Sequence, residues 1–165
     1  MGPVTFVYSV EIAAPVEKVF HFHDDAENIL RVVRFDRWKK VELKLVRVHG
    51  DPGVGRLFHF RLTHRRAIAY ELRLRILEYD PPRRIVFEMK SDFFRVCRNT
   101  IVCEETPRGT RLTDNLDLQP MAIDPVWILR NWLFGPPDLY ILEERRRLTR
   151  EILETEHRRA SGKGF

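Results

Sequence analysis

The chain has 165 residues, a length that suits one domain with a single hydrophobic core. Its formal net charge of +5 comes from 29 basic and 24 acidic residues, and no basic patch is interleaved with aromatic residues, so we do not expect nucleic acid as a partner. The sequence has no apolar run long enough for a membrane span and no signal-peptide pattern at its N-terminus, so we expect a cytoplasmic protein.

The first part of the chain predicts one strand and two short helices. Residues 4–13 alternate between apolar and polar side chains, which is the period of a half-buried strand. Pro15 suits the first turn of a helix, and apolar residues at three- and four-residue spacing extend that helix to His23. A second short helix is predicted over residues 24–31, with Asp24 or Asp25 as its N-cap.

The middle of the chain predicts six consecutive strands joined by short turns, and such strands pair antiparallel. Turn-forming residues such as the Asp51-Pro52-Gly53 run separate them. Together with the N-terminal strand they predict a seven-stranded curved antiparallel sheet. The six alternating runs cover residues 41–49, 56–62, 68–76, 85–90, 94–104 and 110–118.

The last part of the chain predicts a long helix that packs on this sheet. A short apolar helix over residues 124–134 precedes a Gly-Pro-Pro break at residues 135–137. From Asp138 onward the apolar residues form one helical stripe, which is thinnest around Arg145 and Arg146. About twenty residues make a helix of ~30 Å, which is long enough to cross a small domain. We therefore expect one α+β domain over residues 1–159 and a frayed tail over residues 160–165.

Two segments carry a family resemblance. Residues 8–20 (YSVEIAAPVEKVF) resemble the strand-to-helix opening of the SRPBCC superfamily, the START-related helix-grip proteins that include lipid-transfer domains and polyketide cyclases or dehydrases. Residues 109–114 (GTRLTD) are similar to the late strand of the same superfamily. Both segments are signatures of the fold, and the resemblance extends over nearly the whole chain.

The resemblance implies a pocket between the sheet and the long helix that binds a hydrophobic or amphipathic small molecule. Pockets of this kind have apolar walls and a few polar groups. The competing interpretation is a collapsed pocket, in which the side chains of the inward face of the sheet pack directly against the long helix. The predicted ligand contacts are Phe58, Phe60, Tyr70, Leu72, Leu74, Phe87, Met89 and Asp114, with Trp132 and Leu139 closing the cavity from the helical side.

Asp114 is the main candidate for chemistry, because a carboxylate among leucines must be paired, protonated or solvated. It shares its side of the predicted strand with Leu112 and Leu116. As a functional group it would anchor a ligand or act as a general acid or base. The structural alternatives are an ion pair with an arginine such as Arg98, or a register in which this face is exposed near the start of the strand. Tyr70 also faces the predicted interior, where an inward tyrosine is more often a core residue with one hydrogen bond.

The other reactive residues have simpler interpretations. The segment from His21 to Asp25 contains metal-ligand residue types without a partner motif, so we predict no metal site and no cofactor. Cys97 and Cys103 are about 20 Å apart on one predicted strand, too far for a disulfide, and should be reduced and buried. The three arginines at residues 145–147 lie between glutamates, which favours ion pairs on the helix surface.

Three function classes remain open. The first is carriage or sensing of a small molecule. The second is a cyclase or dehydrase acting on a polyketide-like substrate, with Asp114 or Tyr70 transferring protons. The third is a protein-interaction module with a filled core, which would use the apolar segment that begins at Trp127 and ends at Phe134, a segment that would also serve as a homodimer contact.

Overall fold

The structure is a computed structural model that describes residues 4–33, 41–64, 68–90, 94–120 and 137–162. The strands are β1 (Val4–Ile12), β2 (Val41–His49), β3 (Leu57–His64), β4 (Ile68–Asp80), β5 (Arg84–Lys90), β6 (Phe94–Thr106) and β7 (Gly109–Pro120). The helices are α1 (Val16–His23), α2 (Ala26–Val32) and α3 (Pro137–Ala160). The short helix predicted over residues 124–134, and the homodimer contact through it, lie outside the described residues.

The strands form one antiparallel sheet in the order β1-β7-β6-β5-β4-β3-β2. From β2 to β7 each strand pairs with the next one in sequence, and β1 pairs with β7 at the edge, which confirms the predicted seven-stranded sheet. Strand β4 continues to Asp80 instead of ending at residue 76. The reason is a bulge between Ile76 and Glu78, which shifts the register and interrupts the alternation that the sequence shows.

The helices pack against one face of this sheet, which we call the inner face. Phe20 of α1 and Leu153 of α3 are buried in one apolar cluster with Phe58 of β3. The opposite, outer face carries exposed charged residues such as Arg73 and Arg75. A sheet with a long C-terminal helix on one face confirms the α+β helix-grip prediction. In the ranges that the structure describes, no helix is long and apolar enough to cross a membrane.

Two adjacent aspartates connect the short helices to the rest of the fold. Asp25 Oδ1 accepts the backbone N–H of Glu27 at 2.9 Å, so Asp25 is the N-cap of α2 and Asp24 is not. Asp24 is buried, and its Oδ2 accepts the hydroxyl of Tyr79 at 2.7 Å. Burial and this carboxylate raise the pKa of Tyr79 to about 12, so the phenol stays a donor. Asp24 therefore fastens the turn between α1 and α2 to β4.

The two segments that carry the family resemblance touch each other. Gly109 opens β7 at a φ of +135°, and a Cβ on it would clash with the carbonyl oxygen of Ile12 and lie 2.9 Å from the backbone nitrogen of Ala14. The buried hydroxyl of Thr110 donates to the carbonyl of Ala14 at 2.8 Å. The start of β7 therefore holds the chain where it leaves β1 and enters α1.

We expect Gly109→Ala to destabilise the fold strongly, because the methyl group adds a backbone clash to an unfavourable φ. Gly53→Ala is a matched control: its φ is +137°, and a Cβ there meets nothing within 4 Å. Urea unfolding should show a loss of free energy of unfolding for Gly109→Ala that exceeds the loss for Gly53→Ala by about 2 kcal/mol. Equal losses would show that Gly109 is needed only for its φ.

Candidate functional site

The predicted contact residues of β3, β4 and β5 share the inner face. Cross-strand partners lie on the same face of a sheet, and the register pairs Phe58 with Leu74, and Leu74 in turn with Met89. Phe60 pairs with Leu72 in the same way. The ring centroids of Phe58 and Phe60 are 6.5 Å apart. The alternation seen in the sequence therefore assigned these side chains to one face correctly.

Burial divides these residues into two groups. Phe58, Phe60 and Phe87 are almost completely buried in the core. These three side chains therefore fit the alternative interpretation, in which the inner face packs against the helices. The remaining four are only half-buried, and we call them the apolar patch: Tyr70, Leu72, Leu74 and Met89. Trp132, and the side chain of Leu139, lie outside the described part of the chain. A ligand on the inner face would therefore lie on the apolar patch, with the phenylalanines as its supporting wall.

Asp114 lies in the interior, and its carboxylate is held by two partners. The side chain is 3% exposed, Asn99 Nδ2 donates to its Oδ1 at 2.5 Å, and Arg145 Nη2 lies 3.4 Å from its Oδ2. The predicted partner Arg98 is wrong. Arg98 pairs in register with Asp117 on β7 and is exposed, because its position on β6 turns it to the outer face. The structural alternative of an ion pair is correct in kind, with an arginine of α3 as the partner.

The arginines of α3 do not all face solvent, which corrects the sequence-based prediction. Of the three arginines at residues 145–147, Arg147 forms the expected surface pairs, at 2.6 Å from Glu144 and 2.6 Å from Glu151, and the other two do not. Arg145 turns inward to Asp114, and Arg146 is 8% exposed with its guanidinium carbon 3.7 Å from the centroid of the Tyr8 ring. We call Tyr8, Asn99, Asp114, Arg145 and Arg146 the polar cluster.

The signal for these inward arginines was present in the helical spacing. Leu148 and Leu153 of α3 are buried, and so is Thr149, which follows Arg145 by four residues and Arg146 by three. Positions three and four residues apart share a helix face. Residues 145 and 146 therefore occupy inward-facing positions of α3, although they are charged and interrupt the apolar stripe.

The polar cluster has unused hydrogen-bonding capacity. Among the described residues, Nε and Nη2 of Arg146 and Oδ1 of Asn99 are buried and have no hydrogen-bond partner. Burial, followed by the positive charge of Arg145, lowers the pKa of Arg146, while Asp114 opposes the shift. An arginine nevertheless stays protonated in proteins, so its charge is buried with part of its donor edge unpaired.

His23 borders the polar cluster as a neutral side chain. Its Nδ1 lies 2.8 Å from the carbonyl oxygen of Val19, and because that oxygen only accepts, Nδ1 carries the proton. Burial, followed by the charge of Arg145, lowers the pKa of His23 to about 4. At neutral pH the imidazole therefore adds no charge to the cluster.

The structure separates the two residues that were predicted to transfer protons. Asp114 is on β7 and Tyr70 is on β4, with β6 and β5 between them in the sheet. Strands lie about 4.8 Å apart, so three strand spacings put their backbones roughly 14 Å apart. Asp114 and Tyr70 are therefore two separate candidates for proton transfer, on different strands of the inner face.

A cavity of about 340 Å³ lies on the outer face, away from the predicted site. Its lining includes Leu57, His59, Arg73 and Glu88, and their register partners show that they share the face opposite Phe58 and Phe60. His59 hydrogen-bonds to Glu71 there. The cavity is lined mainly by charged side chains, so it does not fit an apolar ligand.

The remaining reactive residues have structural partners. Cys97 and Cys103 are both buried and form no disulfide, as predicted. Burial raises the pKa of the Cys103 thiol to about 12 and makes it unreactive. His21 Nδ1 lies 3.2 Å from Asp24 Oδ2. Within the described residues, no group of three His, Cys, Asp or Glu side chains is arranged to hold a metal ion.

We expect Asp114→Asn to cost about 3 kcal/mol of unfolding free energy, because it leaves Arg145 and Arg146 without a buried counter-charge. Asp117→Asn changes the same strand on its other face, where Thr5 donates to Asp117 at 2.6 Å in an exposed contact, and should cost less than about 1 kcal/mol. Urea unfolding measures both. Adding Arg145→Met to Asp114→Asn should recover part of the loss, and no recovery would contradict the ion pair.

We expect the stability of the protein to fall between pH 6.5 and pH 4 because of His23. The folded pKa is about 4 and the unfolded value is 6.5, so in this window the unfolded chain takes up a proton that the folded one does not. The loss reaches about 3 kcal/mol at the lower end. His23→Asn keeps a donor for Val19 without titrating and should flatten the profile, whereas His49→Asn, at an exposed position, should not. Unfolding free energies at half-unit pH steps test this.

Several solved structures share the fold. Protein CV1439 from Chromobacterium violaceum superposes with a TM-score of 0.66 at 18% identity, covering 91% of this chain and 96% of that one. Protein Ms6760 from Mycobacterium smegmatis gives 0.63 at 18% identity, with 93% and 92% covered. The di-domain ARO/CYC protein StfQ from the steffimycin biosynthetic pathway gives 0.67 at 14% identity, covering 94% of this chain and 52% of that one. At these identities the likeness establishes the fold alone.

A family model assigns the sequence. The model described as "Polyketide cyclase / dehydrase and lipid transport" matches residues 3–134, which is most of the chain. No curated protein matches. The model covers both segments whose resemblance was noted in the sequence, residues 8–20 and 109–114. The chain therefore belongs to the polyketide cyclase/dehydrase and lipid transport family, of the SRPBCC type.

Proposed function

We propose that this protein binds a hydrophobic or amphipathic small molecule on the inner face of its sheet, for carriage or sensing. The observation that supports the proposal most directly is the half-buried apolar patch on the same face as a buried polar cluster with unused hydrogen-bonding capacity. The two are adjacent through Phe87 of β5, which neighbours Met89 on the same face and pairs in register with Asn99 of β6. An apolar wall with a few polar groups at one side is typical of small-molecule sites.

Burial of apolar surface would supply the free energy for binding a small molecule on this face. Covering about 200 Å² of apolar surface stabilises a complex by roughly 5 kcal/mol before the entropy cost of association is subtracted. Met89 adapts well to such a role, because its unbranched thioether side chain fits irregular partners. The buried phenylalanines Phe58 and Phe87, whose ring centroids are 6.3 Å apart, give the wall rigidity.

The cyclase or dehydrase alternative needs a polar group that is available to transfer a proton. The carboxylate of Asp114 is occupied by Asn99 and Arg145, which favours an anchoring role over proton transfer. Turnover of an aromatic polyketide that is abolished by Asp114→Asn or Tyr70→Phe would support the enzyme.

We expect the neutral fluorophore N-phenyl-1-naphthylamine to bind the wild-type protein and to report the site. Met89→Trp fills the space over the apolar patch and should weaken probe affinity at least tenfold. Lys90→Trp is the matched control, because the next residue along β5 faces outward and is exposed, and it should change affinity less than twofold. Fluorescence titration measures all three proteins.

Native mass spectrometry of freshly purified protein completes the test. We expect a co-purifying small molecule on a fraction of the wild-type protein and less of it on Met89→Trp. The binding proposal is overturned if the wild-type protein binds no probe and carries no small molecule, since a filled core would then be the better description.

A further inference from the structure

Arg146 presents an unpaired edge of its guanidinium group inside the protein. The residue is 8% exposed and its guanidinium carbon lies 3.7 Å from the centroid of the Tyr8 ring, so Tyr8 covers its flat face. Within the described part of the chain, both Nε and Nη2 are buried without a hydrogen-bond partner. These two nitrogens lie on one edge of the group, where their N–H bonds run parallel at the spacing of the two oxygens of a carboxylate.

The charges around this edge do not balance. Arg145 and Arg146 contribute two positive charges, whereas Asp114 is the one buried carboxylate among the described residues of the polar cluster, and it lies against Arg145. Glu143 acts on Arg146 from an exposed position, and Glu144 is paired with Arg147. Asp114 is therefore the shared counter-charge of both arginines, and it offsets only one of their two positive charges. A second anion beside Arg146 would balance the other charge and would be favoured.

The neighbouring groups indicate what the anion is attached to. Asn99, whose Nδ2 is committed to Asp114, pairs in register with Phe87, so the apolar wall begins one strand from the polar cluster. Its buried Oδ1 lacks a donor among the described residues and would accept a hydroxyl or N–H of a ligand. A molecule that satisfies these groups combines an acidic end with an apolar body.

We propose that the ligand is an amphipathic carboxylic acid, with its carboxylate bound by the Nε and Nη2 edge of Arg146 and its apolar body lying along the inner face past Phe87 towards Met89, the near end of the apolar patch. This inference rests on the proposed binding function and specifies the chemical class of the ligand. Two parallel charge-assisted hydrogen bonds in a buried site distinguish an acid from a neutral analogue of the same chain length.

The experiment compares two displacing ligands, dodecanoate and dodecan-1-ol, which share an alkyl chain and differ in the charged group. Each ligand is titrated at pH 7.5 into the protein with N-phenyl-1-naphthylamine bound, and displacement of the probe is measured. The concentration of dodecanoate stays below its critical micelle concentration, and that of dodecan-1-ol stays below its solubility limit. We expect the wild-type protein to bind dodecanoate at least tenfold more tightly than dodecan-1-ol. Arg146→Met should remove this preference by lowering the affinity for dodecanoate far more than the affinity for dodecan-1-ol. Arg146→Lys should keep only part of the preference, because an ammonium group lacks the two parallel N–H bonds of a guanidinium edge.

Arg147→Met is the matched control, since it removes the same charge one residue further on the solvent side of α3 and should retain the full preference. Equal displacement by the acid and the alcohol in the wild-type protein overturns the inference and leaves the binding function standing. Equal loss of preference in Arg146→Met and Arg147→Met also overturns it, because the effect would then be one of net charge. Failure of the probe to bind, together with the absence of a co-purifying small molecule, overturns the binding function and this inference with it.

Discussion

The pairing of β1 with β7 is the constraint on which the rest of this structure depends. It joins the first strand of the domain to the last, and it places Tyr8 directly opposite Asp114. Without that register, the ring that covers Arg146 and the carboxylate that holds Arg145 would not be neighbours. We call this β1–β7 pairing the seam. At the end of the seam where β1 ends and β7 begins, Gly109 approaches Ile12 closely and the hydroxyl of Thr110 donates to the carbonyl of Ala14. Contacts so distant in sequence form late and at a large loop-closure cost, so a tight backbone fit is needed to hold them.

The seam explains why the family signatures describe a fold and not a reaction. Residues 8–20 and 109–114 supply the glycine, the threonine and the turn that make the β1–β7 contact fit. Asp114 lies at the end of the second signature and is the first residue of that segment that reaches the polar cluster. Asn99, Arg145 and Arg146, the other members of the polar cluster apart from Tyr8, lie outside the signatures on β6 and α3, where the same fold can accommodate different side chains.

Alternation along the strands was sufficient to predict most of the fold from the sequence. Seven strands, two short helices, a long terminal helix and the inward orientation of Phe58, Phe60 and Leu72 all follow from local period and turn residues. The sequence could not predict which arginine meets Asp114, because that contact joins residues 31 positions apart in the chain, on β7 and α3, through the packing of the helix on the sheet. Helical spacing places Arg145 and Arg146 on the apolar stripe, but charged residues at such positions are usually exposed, so the pattern alone did not lead to the prediction that Arg146 is buried.

The buried arginines are best understood as a departure from the local rule that the rest of α3 obeys. A leucine at position 146 would continue the apolar stripe through Leu148 and Leu153 and would leave no unpaired donors. Replacing buried charges with apolar groups of similar volume commonly stabilises a protein. A charge that is retained where an apolar residue would pack better therefore points to a requirement other than stability, and natural sequences concentrate such departures at functional sites. On this reasoning the burial of Arg146, more than any signature residue, is the feature of the inner face that supports the proposed binding site.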